Sequence, residues 1–275
     1  MRERLLGALI VLIYTVLLFT VPKPFYHLLI YFLGALAVGE LFAISRLERY
    51  QTVALLLFSV LFLIFIYIPQ FIKLLSYIYT DLALTFYSGN LLSSLLIVAP
   101  SFLILSLFTY ALIADGAVDK NLLIALSFFV YLTFGILSLA GLSKPLLLLL
   151  ISIVWSTDTF AYLIGKRFGK KKLIPSVSPK KTVEGSLGGS LAGTVISYAV
   201  AVKLSLLPPG FLTFLFLFIL TVVSQVGDLF ESSLKRTFGV KDSGNIIPGH
   251  GGVLDRIDST LAVAPVLFVL GGTVK

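Results

Sequence analysis

Between Asp228 and Asp258 the chain reads DLFESSLKRTFGVKDSGNIIPGHGGVLDRID. Five carboxylates (Asp228, Glu231, Asp242, Asp255, Asp258) lie in this stretch with Lys235, Arg236, Lys241, Arg256 and His250, although the whole chain holds only 13 Asp and Glu. On a helix, Asp228, Glu231 and Lys235 (i, i+3, i+7) share a face, as do Asp255 and Asp258 (i, i+3). Between the two groups, Pro248-Gly249-His250-Gly251-Gly252 requires a tight turn, because glycine permits positive φ and close backbone approach to a ligand. The spacing therefore predicts two acid-bearing helix ends folded together. Carboxylates alone would repel one another and take up protons. An oxygen-rich cluster that faces a phosphate suits Mg²⁺, whose coordination is completed by substrate phosphates. The competing reading is a packing network in which Arg236 and Arg256 neutralise the acids.

Two further constellations carry polar chemistry. Asp158 stands in Trp155-Ser156-Thr157-Asp158-Thr159-Phe160-Ala161-Tyr162, about two turns before a basic loop from Lys166 to Lys172. It reads either as a site carboxylate or as a helix-packing hydrogen-bond partner. Ser178-Pro179-Lys180-Lys181-Thr182-Val183-Glu184-Gly185 forms an ordered turn into the next apolar span. Thr182 and Glu184 can cap that helix. Two lysines, a threonine and a helix N-terminus together also suit an anion. The loop lacks the G-x-x-x-x-G-K-[ST] pattern of a Walker A site. Basic residues at a membrane face usually set topology or attract anionic lipid, so Lys166–Lys172 alone decide little.

These groups are set in an apolar chain. Of 275 residues, 58% are hydrophobic and 12% charged, and the mean hydropathy is +1.06. A soluble fold could not cover so much apolar surface, so the expectation is an all-α polytopic membrane protein. Nine spans of adequate length are expected, at about Leu5–Val21, Phe25–Ala43, Thr52–Ile68, Leu91–Ile113, Leu122–Leu139, Leu146–Ile164, Leu187–Leu206, Phe211–Phe230 and Gly252–Leu270. The first resembles a signal peptide without an A-x-A cleavage site and reads as a retained helix. Phe71–Ser88, interrupted by Lys73 and Asp81, could lie in the interface or be a tenth span, and the loop charge favours nine spans. With nine spans, fifteen loop cations fall on the N-terminal side and four (Lys23, Lys73, Lys144, Lys275) on the other. That asymmetry puts the N-terminus in the cytoplasm and the C-terminus outside. The absence of cysteine removes disulfides and thiolate chemistry. Scarce Met, Asn and Gln faintly suggest a thermophilic source. Composition also divides the chain. Residues 1–145 are nearly featureless apart from Glu40 and read as scaffold and dimer surface, whereas 146–275 read as the catalytic region.

The stretch Ser232-x-Leu234-Lys235-Arg236-x-x-x-x-Lys241-Asp242-x-Gly244-x-x-Ile247-Pro248-x-His250-Gly251-Gly252-x-x-Asp255-Arg256-Ile257-Asp258 resembles the signature of the CDP-diacylglycerol synthases, or phosphatidate cytidylyltransferases. Ser178–Gly185 and Asp158–Tyr162 resemble two further motifs of that family, in the expected order. The resemblance covers about Leu146 to the C-terminus. Many members have an aromatic residue where this chain has Val183. The resemblance implies that CTP and phosphatidate give CDP-diacylglycerol and pyrophosphate, with one Mg²⁺ or a metal pair held by Asp228, Asp255 and Asp258. It implies that Asp228, Asp255, Lys235 and Arg256 act in catalysis. It places Asp158, Ser178, Lys180, Lys181, Thr182, Glu184, Arg236, Lys241, Asp242 and His250 at the substrates. A homodimer in the cell inner membrane, with a cytoplasmic site among membrane lipids and no nucleic-acid partner, completes the expectation. Two alternatives stand beside it. A CDP-alcohol phosphotransferase would carry Asp-Gly-x-x-Ala-Arg, which is absent. A cation transporter would use Asp158, Asp228 and Glu40 as its ion path, yet the charges gather at one side of the membrane.

Overall fold

The computed structural model describes residues 2–45, 47 and 120–271. The expected spans Thr52–Ile68 and Leu91–Ile113, the ambiguous Phe71–Ser88, and the loop cations Arg46, Arg49, Lys73 and Lys275 lie outside them. Within the described residues, seven helices and one hairpin follow in order: α1 (Arg2–Thr20), α2 (Lys23–Ser45), α3 (Lys120–Gly141), α4 (Lys144–Phe168), β1 (Lys172–Ile174), β2 (Ser178–Thr182), α5 (Val183–Lys203), α6 (Phe211–Thr237) and α7 (Leu254–Gly271). Helices α1 to α6 are each long and apolar enough to cross a membrane. The protein is a multi-pass membrane protein. Helix α7 covers the residues of the expected last span but is not among the helices apolar enough to cross a membrane, since its first turns carry Asp255, Arg256 and Asp258. The fold is mostly helical, as expected, and a short hairpin joins α4 to α5. Its antiparallel strands pair Lys172 with Thr182 and Ile174 with Ser178. Strands of three and five residues between basic and proline-containing segments show no period-2 apolar pattern, so sequence periodicity could not announce them.

The chain forms two compact units. One joins residues 1–44 to 131–275, and the other spans 45–130. In the first unit, α1 and α2 fold with the helices of the second half, so the compositional divide near residue 145 is not a divide in packing.

Helices α4 and α5 approach closely for a reason visible in the residues. Gly185, Gly189 and Gly193 recur every fourth position and face Thr157, Ala161 and Gly165 on α4. A Cβ at Gly189 would lie 2.7 Å from the Cβ of Ala161 and the carbonyl oxygen of Thr157, and one at Gly185 2.9 Å from the Gly165 Cα. Small residues at this spacing let membrane helices meet backbone to backbone, where lipid supplies no hydrophobic drive between them. Helix α6 is fixed to α5 by Gln225, whose amide donates to the Ser190 hydroxyl (2.7 Å) and the Ser186 carbonyl (3.1 Å) and accepts from the Ser186 hydroxyl (2.6 Å). At the far end of the unit, Lys144 donates to the carbonyls of Phe19 (2.7 Å) and Val21 (3.1 Å), tying the start of α4 to the end of α1.

Candidate active site

Helix α6 has 27 residues and rises about 40 Å at ~1.5 Å each, against about 30 Å of hydrocarbon. Its last three turns thus carry Asp228, Glu231 and Lys235 towards the membrane boundary. Beyond it the chain returns through a tight turn. The amide of His250 donates to the Ile247 carbonyl (2.9 Å), and that of Ile247 to the Gly251 carbonyl (3.0 Å). Gly249 and Gly251 hold φ of 69° and 81°, a region that costs a residue with a Cβ about 1–2 kcal/mol. The expected tight turn is therefore present, and it delivers Asp255, Arg256 and Asp258 on the first turns of α7. The turn also meets α1: a Cβ at Gly249 would strike the Arg4 backbone, and one at Gly7 would strike Pro248 and His250. The start of α1 and the site therefore lie at the same end of the unit.

One cavity of about 830 Å³ lies among four main segments, with Val11 of α1 and Ser186 of α5 at its wall. Helix α4 contributes Trp155, Asp158, Tyr162 and Lys166. The hairpin contributes Lys180, Lys181 and Thr182. Helix α6 contributes Gln225, Asp228 and Lys235. The final turn and α7 contribute Asp242, Asp255, Arg256 and Asp258. This volume lies in the range of pockets that bury most of a small ligand. Asp228 and Asp258, thirty positions apart, face the same space.

Lysines hold the acids apart. Lys181 pairs with Asp228, bridging hairpin and α6. Lys235 lies between Glu231 (2.7 Å) and Asp255 (2.5 Å). Glu231 is fully buried and the Lys235 side chain is only 10% exposed. Asp255 has both oxygens engaged: Oδ1 by Lys235, and Oδ2 by the amides of Gly252 (2.8 Å) and Ser243 (3.0 Å). Asp258 accepts from the Ser259 amide at 2.7 Å through Oδ1. The neutralising network expected of arginines is thus built by lysines. Arg256 donates instead to the His250 carbonyl (3.0 and 2.8 Å), and Arg236 to the carbonyls of Val177 (3.2 Å) and Val240 (2.9 Å).

Of the residues singled out in the sequence, Asp158, Lys180, Lys181, Thr182, Asp228, Lys235, Asp242, Asp255, Arg256 and Asp258 line the cavity. Ser178, Glu184, Arg236, Lys241 and His250 are not among its lining. Glu184 accepts from the amides of Lys170 (2.9 Å) and Lys171 (3.2 Å), which fastens the loop ahead of the hairpin to the start of α5. Thr182 caps α5 by accepting from the Gly185 amide at 3.2 Å, so its capping reading holds while it also faces the cavity. Ser178 serves the hairpin register. Lys166, Ser186 and Gln225 line the cavity without having been singled out as site residues. Gln225, one of three Gln in the chain and set in an apolar span, was the available signal.

Among the described residues, no three His, Cys, Asp or Glu side chains are grouped so as to hold a metal ion unaided. The donor chemistry still suits Mg²⁺, which usually takes only one or two carboxylates and completes its shell with water and substrate phosphates. Charge points the same way. Five carboxylates and five cations (Lys166, Lys180, Lys181, Lys235, Arg256) line the cavity. The protein side is balanced, so a polyphosphate ligand would need a further cation to neutralise it.

The model of the Cytidylyltransferase family matches residues 2–274. The chain belongs to this family. Over 98% of its length it is 34% identical to the phosphatidate cytidylyltransferase of Bacillus subtilis (strain 168), covering 97% of that protein. Proteins of the same name from Staphylococcus epidermidis (strain RP62A) and Staphylococcus aureus (strain COL) are 48% identical over 118 residues, 43% of this chain and 45% of each relative. The likeness to cytidylyltransferases first read from motifs after Leu146 therefore extends through the first half as well.

Proposed function

We propose that the protein transfers the CMP moiety of CTP to phosphatidate, giving CDP-diacylglycerol and pyrophosphate. The observation that carries this reading is one cavity in which hairpin lysines face the carboxylates of α6 and α7 at the end of membrane helices. Family membership and the names of the relatives agree with it. A phosphate oxygen of the lipid attacks the α-phosphorus of CTP, the bond to the β-phosphate breaks, and pyrophosphate leaves with the electron pair. Such transfers depend on alignment and charge neutralisation more than on covalent chemistry. A phosphate monoester loses its second proton near pH ~6, so the nucleophile is ionised at pH 7 without a general base. Lys180, Lys181 and Arg256 hold the phosphates, and Lys166 extends the basic wall.

Asp228 and Asp258, with Asp255 at the turn, are the carboxylates that would hold Mg²⁺. Bound there, the ion would neutralise phosphate charge and polarise the phosphoryl oxygens. A nine-span chain, with its N-terminus and site in the cytoplasm of the plasma membrane, fits the fifteen-to-four loop charge and the position of α1 beside the turn. A homodimer through the first-half helices completes the reading. Its support is the apolar surface of α1, where Leu5, Leu9, Leu12 and Val16 are exposed.

Pyrophosphate release in mixed micelles tests the reaction. It should require CTP, phosphatidate and Mg²⁺ together and be lost in Asp228→Asn. Chelation should abolish release without unfolding the protein, and added Mg²⁺ should restore it. Release that proceeds without phosphatidate would overturn the reading.

A further inference from the structure

Glu40 on α2 lies two hundred residues from the acidic motifs, yet it is only 4% exposed and reaches them. Its Oε1 accepts from the Val253 amide (2.8 Å), and its Oε2 from the Leu254 amide (2.9 Å) and the Ser243 hydroxyl (2.8 Å). Among the described residues it has no ion pair. A buried carboxylate is costly unless hydrogen bonds replace its water. Here three donors and the positive end of α7 do so. The fit is tight: a Cβ at Gly244 would lie 2.8 Å from Oε1, and one at Gly252 would lie 2.6 Å from Cδ.

Ser243 links this contact to the site. Its hydroxyl donates to Glu40 and its amide donates to Asp255. Asp255 in turn accepts from Gly252 and Lys235. Glu40 thus grips the outer side of the segment whose inner side presents Asp242, Asp255 and Asp258 to the cavity. We propose that Glu40 is a positioning residue, which sets the turn from Asp242 to Leu254 and through it the carboxylates of α7. This inference rests on the cytidylyl-transfer reading. It gives the first half of the chain a part in the chemistry.

The lysines of β2 do not touch Glu40, so nucleotide binding should survive its loss while alignment suffers. In Glu40→Gln the amide would face backbone N–H donors with a donor of its own. Turnover (kcat) should fall at least about ten-fold, with KM for CTP changed less than about three-fold. The chain has no cysteine, so a spin label at Ile246→Cys, an exposed position of the turn, reports the turn alone. That label should become mobile in Glu40→Gln while the thermal midpoint stays within about 5 °C, since the rest of the unit keeps its contacts. An unchanged kcat, or a loss of kcat with the label as immobile as in the parent, overturns the proposal. If Glu40→Gln does not fold, Ser243→Ala removes one bond and keeps the charge. It should lower kcat about three-fold and loosen the label, and an unaltered kcat and label overturn the proposal equally. Label mobility is read without turnover, so failure of the transfer reaction itself would appear separately, as absent activity in the parent.

Discussion

Neutralising Lys180, Lys181 or Arg256 should each lower kcat/KM at least about ten-fold, roughly 1.4 kcal/mol of transition-state binding. These side chains face the cavity. Lys170, Lys171 and Lys172 do not line it, and the first two serve Glu184 through their amides. Neutralising one of these three should cost less than about three-fold, because exposed charge is screened within ~8 Å at physiological salt. Steady-state kinetics on the six variants at low and high salt check the contrast. Equal losses in both sets that vanish at high salt would mark a diffuse lipid-attracting surface. Lys235 differs in kind. Removing it would strand buried Glu231 beside Asp255, a situation that typically costs about 3–5 kcal/mol. Lys235→Met should therefore lower the thermal midpoint as well as activity, and thermal unfolding in detergent measures it. At this scale the acids were legible in the sequence because charge is rare in an apolar chain. The partners of Arg236, His250 and Glu184 were not, since residue spacing within turns does not give side-chain direction. Arg236 and Glu184 meet backbone groups of other segments, and the His250 carbonyl accepts from the Arg256 side chain.

Helices α4 and α5 put Asp158 and the β2 lysines on facing walls, and their approach depends on the Gly185, Gly189 and Gly193 stripe. Gly189→Val would push a branched side chain into Ala161 and the Thr157 carbonyl. Overpacking of this kind costs about 1–3 kcal/mol and should widen the cavity, so both midpoint and activity should fall. Ala161→Gly in the same chain should recover part of each loss by returning space, and parallel unfolding and rate measurements would show it. The long apolar spans of the described helices and the tight glycine turn could be read from residue pattern alone. The hairpin could not, because its short strands carry no alternating apolar pattern, while Glu184 and Arg236 meet its flank and turn from helices. The small-residue stripe was present in the sequence, but its partner helix is a tertiary fact.

For the whole molecule, hydropathy and loop charge set the expected membrane placement, whereas the part played by the first half emerged only from packing. Glu40 was visible as an isolated acid, but nothing local to α2 shows that it meets residues 243–254. Single cysteines at Lys170 and Lys241 should be labelled only from the cytoplasmic side of intact cells, and labelling from outside would contradict the topology. The central claim is cytidylyl transfer to a lipid phosphate, and the fate of the α-phosphate tests it most directly. Purified protein with Mg²⁺, phosphatidate and CTP labelled at the α-phosphorus should move the label into CDP-diacylglycerol, with one pyrophosphate released per labelled lipid and neither formed by Asp228→Asn. Label that stays in water-soluble CMP, or no labelled lipid from folded protein supplied with both substrates and Mg²⁺, would contradict the account.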